Sequence, residues 1–229
     1  MGGTAAGPGK GMNAAAQAVA AVVLVGGLGG AAWALGKTGG QTVDRGPATC
    51  SDSREDLPAE YVSGARLCEA LNRPDLPVLL GTPGERAETA SGSGDRATRA
   101  GGDRTASSQA TVTLKSHSVK VTASYDRLPV AGMAGLLGDT AREQTVLGHP
   151  AVLYSDHTIA LRINLGGAGG GSGGPGGIAR HLLVARDAKD GGGSYELVIW
   201  RQDGMVPDEA ALLRVAEQVL PTIPGWTSG

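Results

Sequence analysis

Phenylalanine is absent from this 229-residue chain, and tyrosine and tryptophan together supply an aromatic content of only 3%. The core must therefore be aliphatic. The available rings, Tyr61, Tyr125, Tyr154, Tyr195, Trp200 and Trp226, are thin for a sugar-stacking platform. Trp200 lies in a strand pattern and reads as core beneath the final helix, and Trp226 in Pro224-Gly225-Trp226 closes the end of the domain. Neither sign of charge dominates, with 20 basic against 22 acidic residues. Setting aside Lys10 and Lys37 leaves 18 against 22 for the rest. That balance argues against nucleic acid or an anionic bilayer surface as partner, since both call for a basic face.

Chemical motifs are also missing. The four histidines, His117, His149, His157 and His181, show no H-x-x-x-H or H-E-x-x-H spacing, so no metal or other cofactor is expected. No G-x-S-x-G nucleophile elbow occurs. Ser155-Asp156-His157 holds the three residue types of a hydrolase triad, but a triad is assembled from separate segments, and a polar hairpin turn is the better reading. The glycine run 166–177 has no Gly-Lys-Ser/Thr and leads into a strand, not a helix, so it reads as a flexible inter-strand loop, not a phosphate cradle. Acidic residues such as Asp126, Asp139, Asp187 and Asp190 fall in turns, where aspartate is common for local reasons. No catalytic residue is assigned, and an enzyme is the less favoured reading.

One long apolar stretch is present. Asn13–Gly36 carries no charge between Lys10 and Lys37, and roughly 20 residues suffice to span a bilayer. Its valines and leucines contribute about −2 to −4 kcal/mol to insertion, an amount its glycines dilute. The expectation is a single transmembrane helix over 13–36, with 1–12 a short cytoplasmic tail and Trp33 at the interface. The alternative is a signal peptide, with Lys10 as basic region and cleavage near Ala34. Gly26-x-x-x-Gly30 matches the small-residue pairing motif, which makes a homodimer through Gly26 and Gly30 a low-ranking option. Flanking charges barely decide orientation.

Cys50 and Cys68 are the only cysteines. Two, and no more, in an exported segment read as one disulfide, the alternative being two unrelated thiols with Cys68 buried on a helix. On that basis the body of the protein is expected outside the cell membrane.

After a polar linker over 37–60, the globular part occupies 61–229. Ser63 is an N-cap for GARLCEAL, and Asp75 caps a short LPVLLG turn closing at Gly81. Residues 82–109 show no apolar period and read as a flexible insertion. Strand patterns follow, with a parity switch near Ser116–Ser118 that implies a bulge or tight turn. Gly132–Leu137 forms a short helix. Ala151–Tyr154 and Thr158–Leu165 read as one hairpin, His181–Arg186 and Tyr195–Arg201 as another. Pro207, Asp208 and Glu209 open a last helix whose Leu212, Val215, Ala216, Val219 and Leu220 line one side, and Pro221 stops it. The fold class is therefore α+β, an antiparallel sheet packed by a long C-terminal helix and short helices.

The stretches LCEALNRPDLPVLLG, AGMAGLLGDT, VLGHPAVLYSD, KDGGGSYELVIWRQD and ALLRVAEQVLPTIPGW together resemble a family of uncharacterised actinobacterial membrane-anchored proteins, a domain of unknown function. The resemblance spans nearly the whole chain. It implies a single-pass or exported envelope protein with a helix-capped antiparallel sheet, and it brings no catalytic residues. The element order is also similar, by analogy alone, to the Mog1/PsbP-like sheet fold. The expected function is a membrane-tethered, non-catalytic extracytoplasmic domain that binds another envelope protein or a small ligand. An envelope hydrolase with an unrecognised site is the alternative.

Overall fold

The computed structural model describes residues 48–52, 57–58, 60–98, 104–162 and 172–227. All belong to one compact unit, Arg45–Gly229. The apolar run 13–36, with Gly26 and Gly30, lies outside the described residues. Among those described, no helix is long and apolar enough to cross a membrane.

The body is a single eight-stranded sheet. Its strands are β1 (Cys50–Asp52), β2 (Thr89–Thr98), β3 (Arg104–Thr113), β4 (His117–Ser124), β5 (Arg142–Val146), β6 (His149–Arg162), β7 (Ser172–Ala185) and β8 (Ser194–Arg201). Their order across the sheet is β1-β2-β3-β4-β8-β7-β6-β5. Two meanders, β2–β4 and β5–β8, thus join where β4 pairs with β8. β1 runs parallel to β2, and every other pairing is antiparallel.

This corrects the expected fold class. The sheet is mixed and carries most of the structure, and the final helix, α3 (Glu209–Val219), has only 11 residues. Its length is set by its ends. Asp208 caps it by accepting from the Ala210 N–H, and Pro221 falls in the 3-10 turn Leu220–Thr222 that finishes it. A helix bounded so tightly cannot cover eight strands, and the Mog1/PsbP-like analogy falls with it. The other helices are short: α1 (Gly64–Leu71), with Ser63 accepting from the Arg66 N–H, and α2 (Leu76–Leu79). At α2 the Asp75 carboxylate makes no cap, because it pairs with Arg73.

Three loop expectations also give way. Most of 82–109 is strand, β2 and the first half of β3. Its inward residues are Ala90, Gly92, Ala106, Ser108 and Ala110, all buried and all small. They are small because α1 lies almost directly on them: a Cβ at Gly92 would stand 2.1 Å from the Gly64 carbonyl oxygen. An alternation of alanine, glycine and serine carries no apolar signal, so the strand period was hidden. Likewise, Ser155-Asp156-His157 is not a turn. It lies within β6, a continuous strand of 14 residues whose register shifts only between His157 and Ile159. Gly173–Gly177 of the glycine run likewise belongs to β7, not to a loop.

Alternation along the strands gives the sheet two faces. The first carries Val112, Val119, Val121, Ala151, Leu153, Leu182, Val184, Tyr195, Leu197 and Ile199, packed beneath α1 and α3 in one continuous cluster. α3 presents Leu212, Val215, Ala216 and Val219 to it. Trp226 ends the domain by stacking on the buried ring of His149, 4.1 Å between centroids. A two-residue turn leads into β6. The turn is Leu147-Gly148, both at positive φ, and His149 begins β6 with its ring nitrogens 2.8 Å from the carbonyls of Ala185 and Thr227.

Candidate functional site

The second face is where the fold leaves side chains available. The register places them in rows across the sheet. One row runs Thr89, Thr113, Ser118, Trp200, Ala179, Asp156, and the next runs Ser91, Thr111, Lys120, Val198, His181, Tyr154. A third runs Ser93, Gln109, Thr122, Glu196, Leu183, Val152. Over β2, β3 and β4 these rows hold serine, threonine, one glutamine and one lysine. Over β6 and β7 they gain apolar residues, Ala179, Leu183 and Val152, alongside Asp156, His181 and Tyr154.

The apolar half is covered. β4 and β5 are separated by three strands, so the chain between them must cross the sheet. It packs Met133, Ala134 and Leu137 against Val152, Tyr154 and Ala185, with Val130 buried among them. This strap is fastened by the Asp190 carboxylate, which accepts from the backbone N–H of Val130 at 2.8 Å and of Ala131 at 2.7 Å. Neither apolar cluster among the described residues includes a second-face residue of β2, β3 or β4.

Trp200 stands at the seam. It was expected under the final helix, but its parity on β8 is opposite to that of Leu197 and Ile199, so it projects from the other face, half-buried. The next two rows hold a polar network. Glu196 Oε1 accepts from the Tyr154 hydroxyl and from His181 Nδ1, the latter at 3.0 Å. The Tyr154 and His181 rings stack at 4.5 Å. Side-chain exposure is 13% for Glu196 and 18% for His181, low enough for these hydrogen bonds to be strong.

Burial pushes the Glu196 carboxyl upward. The His181 hydrogen bond and charge, the Tyr154 hydrogen bond and the Lys120 charge outweigh it and hold the group below the ordinary carboxylate range. The Tyr154 phenol moves far the other way, first through burial and then through the neighbouring Glu196 charge. Tyr154 therefore stays a neutral donor and Glu196 a charged acceptor. With Nδ1 engaged by the carboxylate, His181 keeps Nε2 as its remaining polar atom.

A carboxylate-oriented histidine is one part of a general base, but the other parts are not assembled around it. Among the described residues no serine or cysteine side chain is hydrogen-bonded to the His181 ring. The contiguous trio does not substitute: Ser155 Oγ accepts from Arg180 at 3.3 Å, the Asp156 carboxylate accepts from the His157 backbone N–H, and His157 Nδ1 faces the Gly176 carbonyl at 3.1 Å. His117 approaches the Ser116 hydroxyl at 2.7 Å, but it is 3% exposed at the start of β4. Burial, then Arg201, lowers its pKa. The four histidines occupy four separate places, and among the described residues no three His, Cys, Asp or Glu side chains converge as a metal site.

Cys50 and Cys68 are joined by a disulfide. It ties β1 to α1 at the place where the chain enters the body. Two further bonds secure the same place: the Ala48 N–H donates to the Ala87 carbonyl at 3.1 Å, and Asn72 Nδ2 donates to the Ala48 carbonyl at 2.7 Å.

Fold and site together define a disulfide-fastened mixed-sheet domain that packs one face and presents a largely hydroxyl-bearing second face around one tryptophan. The chain belongs to DUF6215, a family of unknown function, which matches residues 9–140. That match holds LCEALNRPDLPVLLG and AGMAGLLGDT but ends before the other three stretches on which the resemblance rested, so the family is shown over that part and not over nearly the whole chain. No curated protein and no solved structure matches the chain.

Proposed function

We propose that this domain is a non-catalytic binding module working outside the cytoplasm, and that its ligand lies on the second face of the sheet around Trp200. The observation that carries this reading is the placement of Trp200. A large ring projects from a rigid sheet where no described apolar cluster encloses it, and the next two rows hold an imidazole, a phenol and a carboxylate locked to one another. Half-exposed aromatic side chains held by stiff neighbours serve as anchors of recognition surfaces, because they bury much area at little entropic cost. The bonded cysteine pair supports the compartment, since disulfides persist where glutathione and thioredoxin do not reach.

Two measurements test the two halves. A photo-crosslinking benzoylphenylalanine at exposed Ser91, in the full chain in its native cells, is expected to give an adduct that the same group at exposed Glu217 on α3 does not. Adducts at neither position, or only at Glu217, overturn the assignment of the face. Thiol labelling of the protein from intact cells is expected to find no reactive cysteine before reduction, and two reactive thiols overturn the compartment.

A further inference from the structure

Resting on that reading, we propose that the ligand of the second face is a neutral, hydroxyl-rich polysaccharide chain. The composition of the face decides between ligand classes. Apart from Ser118, which is buried and bonded to Thr113 and Gln202, the three rows over β2, β3 and β4 present serine, threonine and glutamine with a single cation, Lys120. Nucleic acids and anionic membranes require clustered basic side chains, and this face has one. Protein interfaces are enriched in aromatic residues, methionine and arginine and depleted in serine, the reverse of what stands here. Small-molecule sites are concave and mostly apolar. A sheet face is broad and offers shallow contacts along its length.

What remains is a ligand that is itself extended, uncharged and covered in hydroxyls. The groups on the face suit it. Threonine is stiff at its first torsion and serine has few rotamers, so an array of their hydroxyls is ordered before anything binds. Each hydroxyl both donates and accepts, as a sugar hydroxyl does, directly or through one water. Neighbouring strands set the array at about 4.8 Å spacing. Trp200, with Lys120 and His181 diagonal to it, supplies the flat apolar surface against which the C–H face of a pyranose ring packs. The chain's aromatics are few, but a hydroxyl array with one ring needs no second platform. The Glu196–Tyr154 and Glu196–His181 bonds hold His181, so its free nitrogen is a fixed polar contact beside the ring.

The test is co-sedimentation of the purified full chain in mild detergent with three insoluble probes: a neutral glucan, a neutral N-acetylated amino-sugar polymer, and a polymer of uronic acids. Retention on at least one neutral polymer is expected. Trp200→Ala is expected to weaken it roughly tenfold, the order a single stacked ring contributes, and Thr111→Glu is expected to weaken it as well. Melting temperatures within a few degrees of the parent establish that both variants are folded; Trp200→Phe, which keeps a ring, is expected to retain most of the binding. No retention on either neutral polymer, retention on the uronic polymer alone, or undiminished retention by folded Trp200→Ala overturns the polysaccharide. The Ser91 adduct separates this proposal from the broader one. An adduct removed by glycosidases and resistant to proteases supports the polysaccharide. An adduct to a protein leaves the face as a binding surface and removes the polysaccharide. With no adduct and no retention, both fall.

Discussion

Glu196 shows how much one buried carboxylate depends on its neighbours. Its two partners lie on different strands, and deleting either leaves a charge inside a partly dehydrated site. Tyr154→Phe is expected to cost about 1.5–3 kcal/mol, the usual worth of a hydrogen bond to a charged group, read as a lower midpoint in urea. The acid limb follows from the sign of the shift. The folded-state pKa of Glu196 lies below its ordinary value, so the stabilisation is complete above about pH 4.3 and is lost as pH falls through the depressed folded value. Glu196→Gln is expected to flatten that limb in a series of melts, and an unchanged limb removes the assignment. Gly92 poses the opposite problem, a lack of space. An added methyl would meet the Gly64 carbonyl oxygen at 2.1 Å, so Gly92→Ala is expected to push α1 off β2 and cost about 1–3 kcal/mol. None of these contacts was legible in the sequence. Tyr154, Glu196 and His181 are far apart in the chain, and only strand register brings them onto adjoining rows.

At the scale of elements, the junction of β1 with α1 is the point most open to test. β1 has three residues and one neighbour, too little ladder to hold by itself. The Cys50–Cys68 bond closes a loop of sequence separation 18, for which chain entropy gives about 3 kcal/mol. Cys50→Ser with Cys68→Ser is expected to lose an amount of that order and to release β1 first, seen as faster amide exchange at residues 50–52 than in the rest of the sheet. Exchange that rises evenly across all strands would count against the local role. Elements with strong local signals were readable in advance. Ser63 caps α1 as its sequence indicates, and the apolar stripe of α3 faces the core as its spacing indicates. Strand β2 and the first half of β3 were not readable, because a helix resting on them selects residues without hydrophobic period. The long β6 was split on paper at Ser155-Asp156-His157, polar residues that strand pairing overrides with a continuous ladder to β7.

The whole molecule is bounded in pH on the alkaline side as well. Tyr125, Tyr154 and Tyr195 are all raised by burial, Tyr195 to about 12. Groups whose folded pKa exceeds the unfolded value of about 10 contribute stability that is whole below that pH and is lost as pH climbs through the folded values. Cooperative unfolding above pH 10, coincident with tyrosinate absorbance at 295 nm, is the expected result. Ionisation of Tyr125, Tyr154 or Tyr195 near pH 10 in a still-folded protein would contradict it. The sequence by itself determined composition, charge balance, the absence of recognisable catalytic motifs, the Ser63 start of α1 and the Pro221 stop after α3, because those rest on residue chemistry and on contacts a few positions apart; the start of α3 falls at Glu209, capped by Asp208, and not at Pro207. Tertiary structure alone decided the strand order, the parallel pairing of β1, the small-residue bed beneath α1, and the face on which Trp200 stands. The reason is physical: pairing partners are chosen by long-range burial and register, and a shift of one residue along a strand exchanges the packed face for the open one.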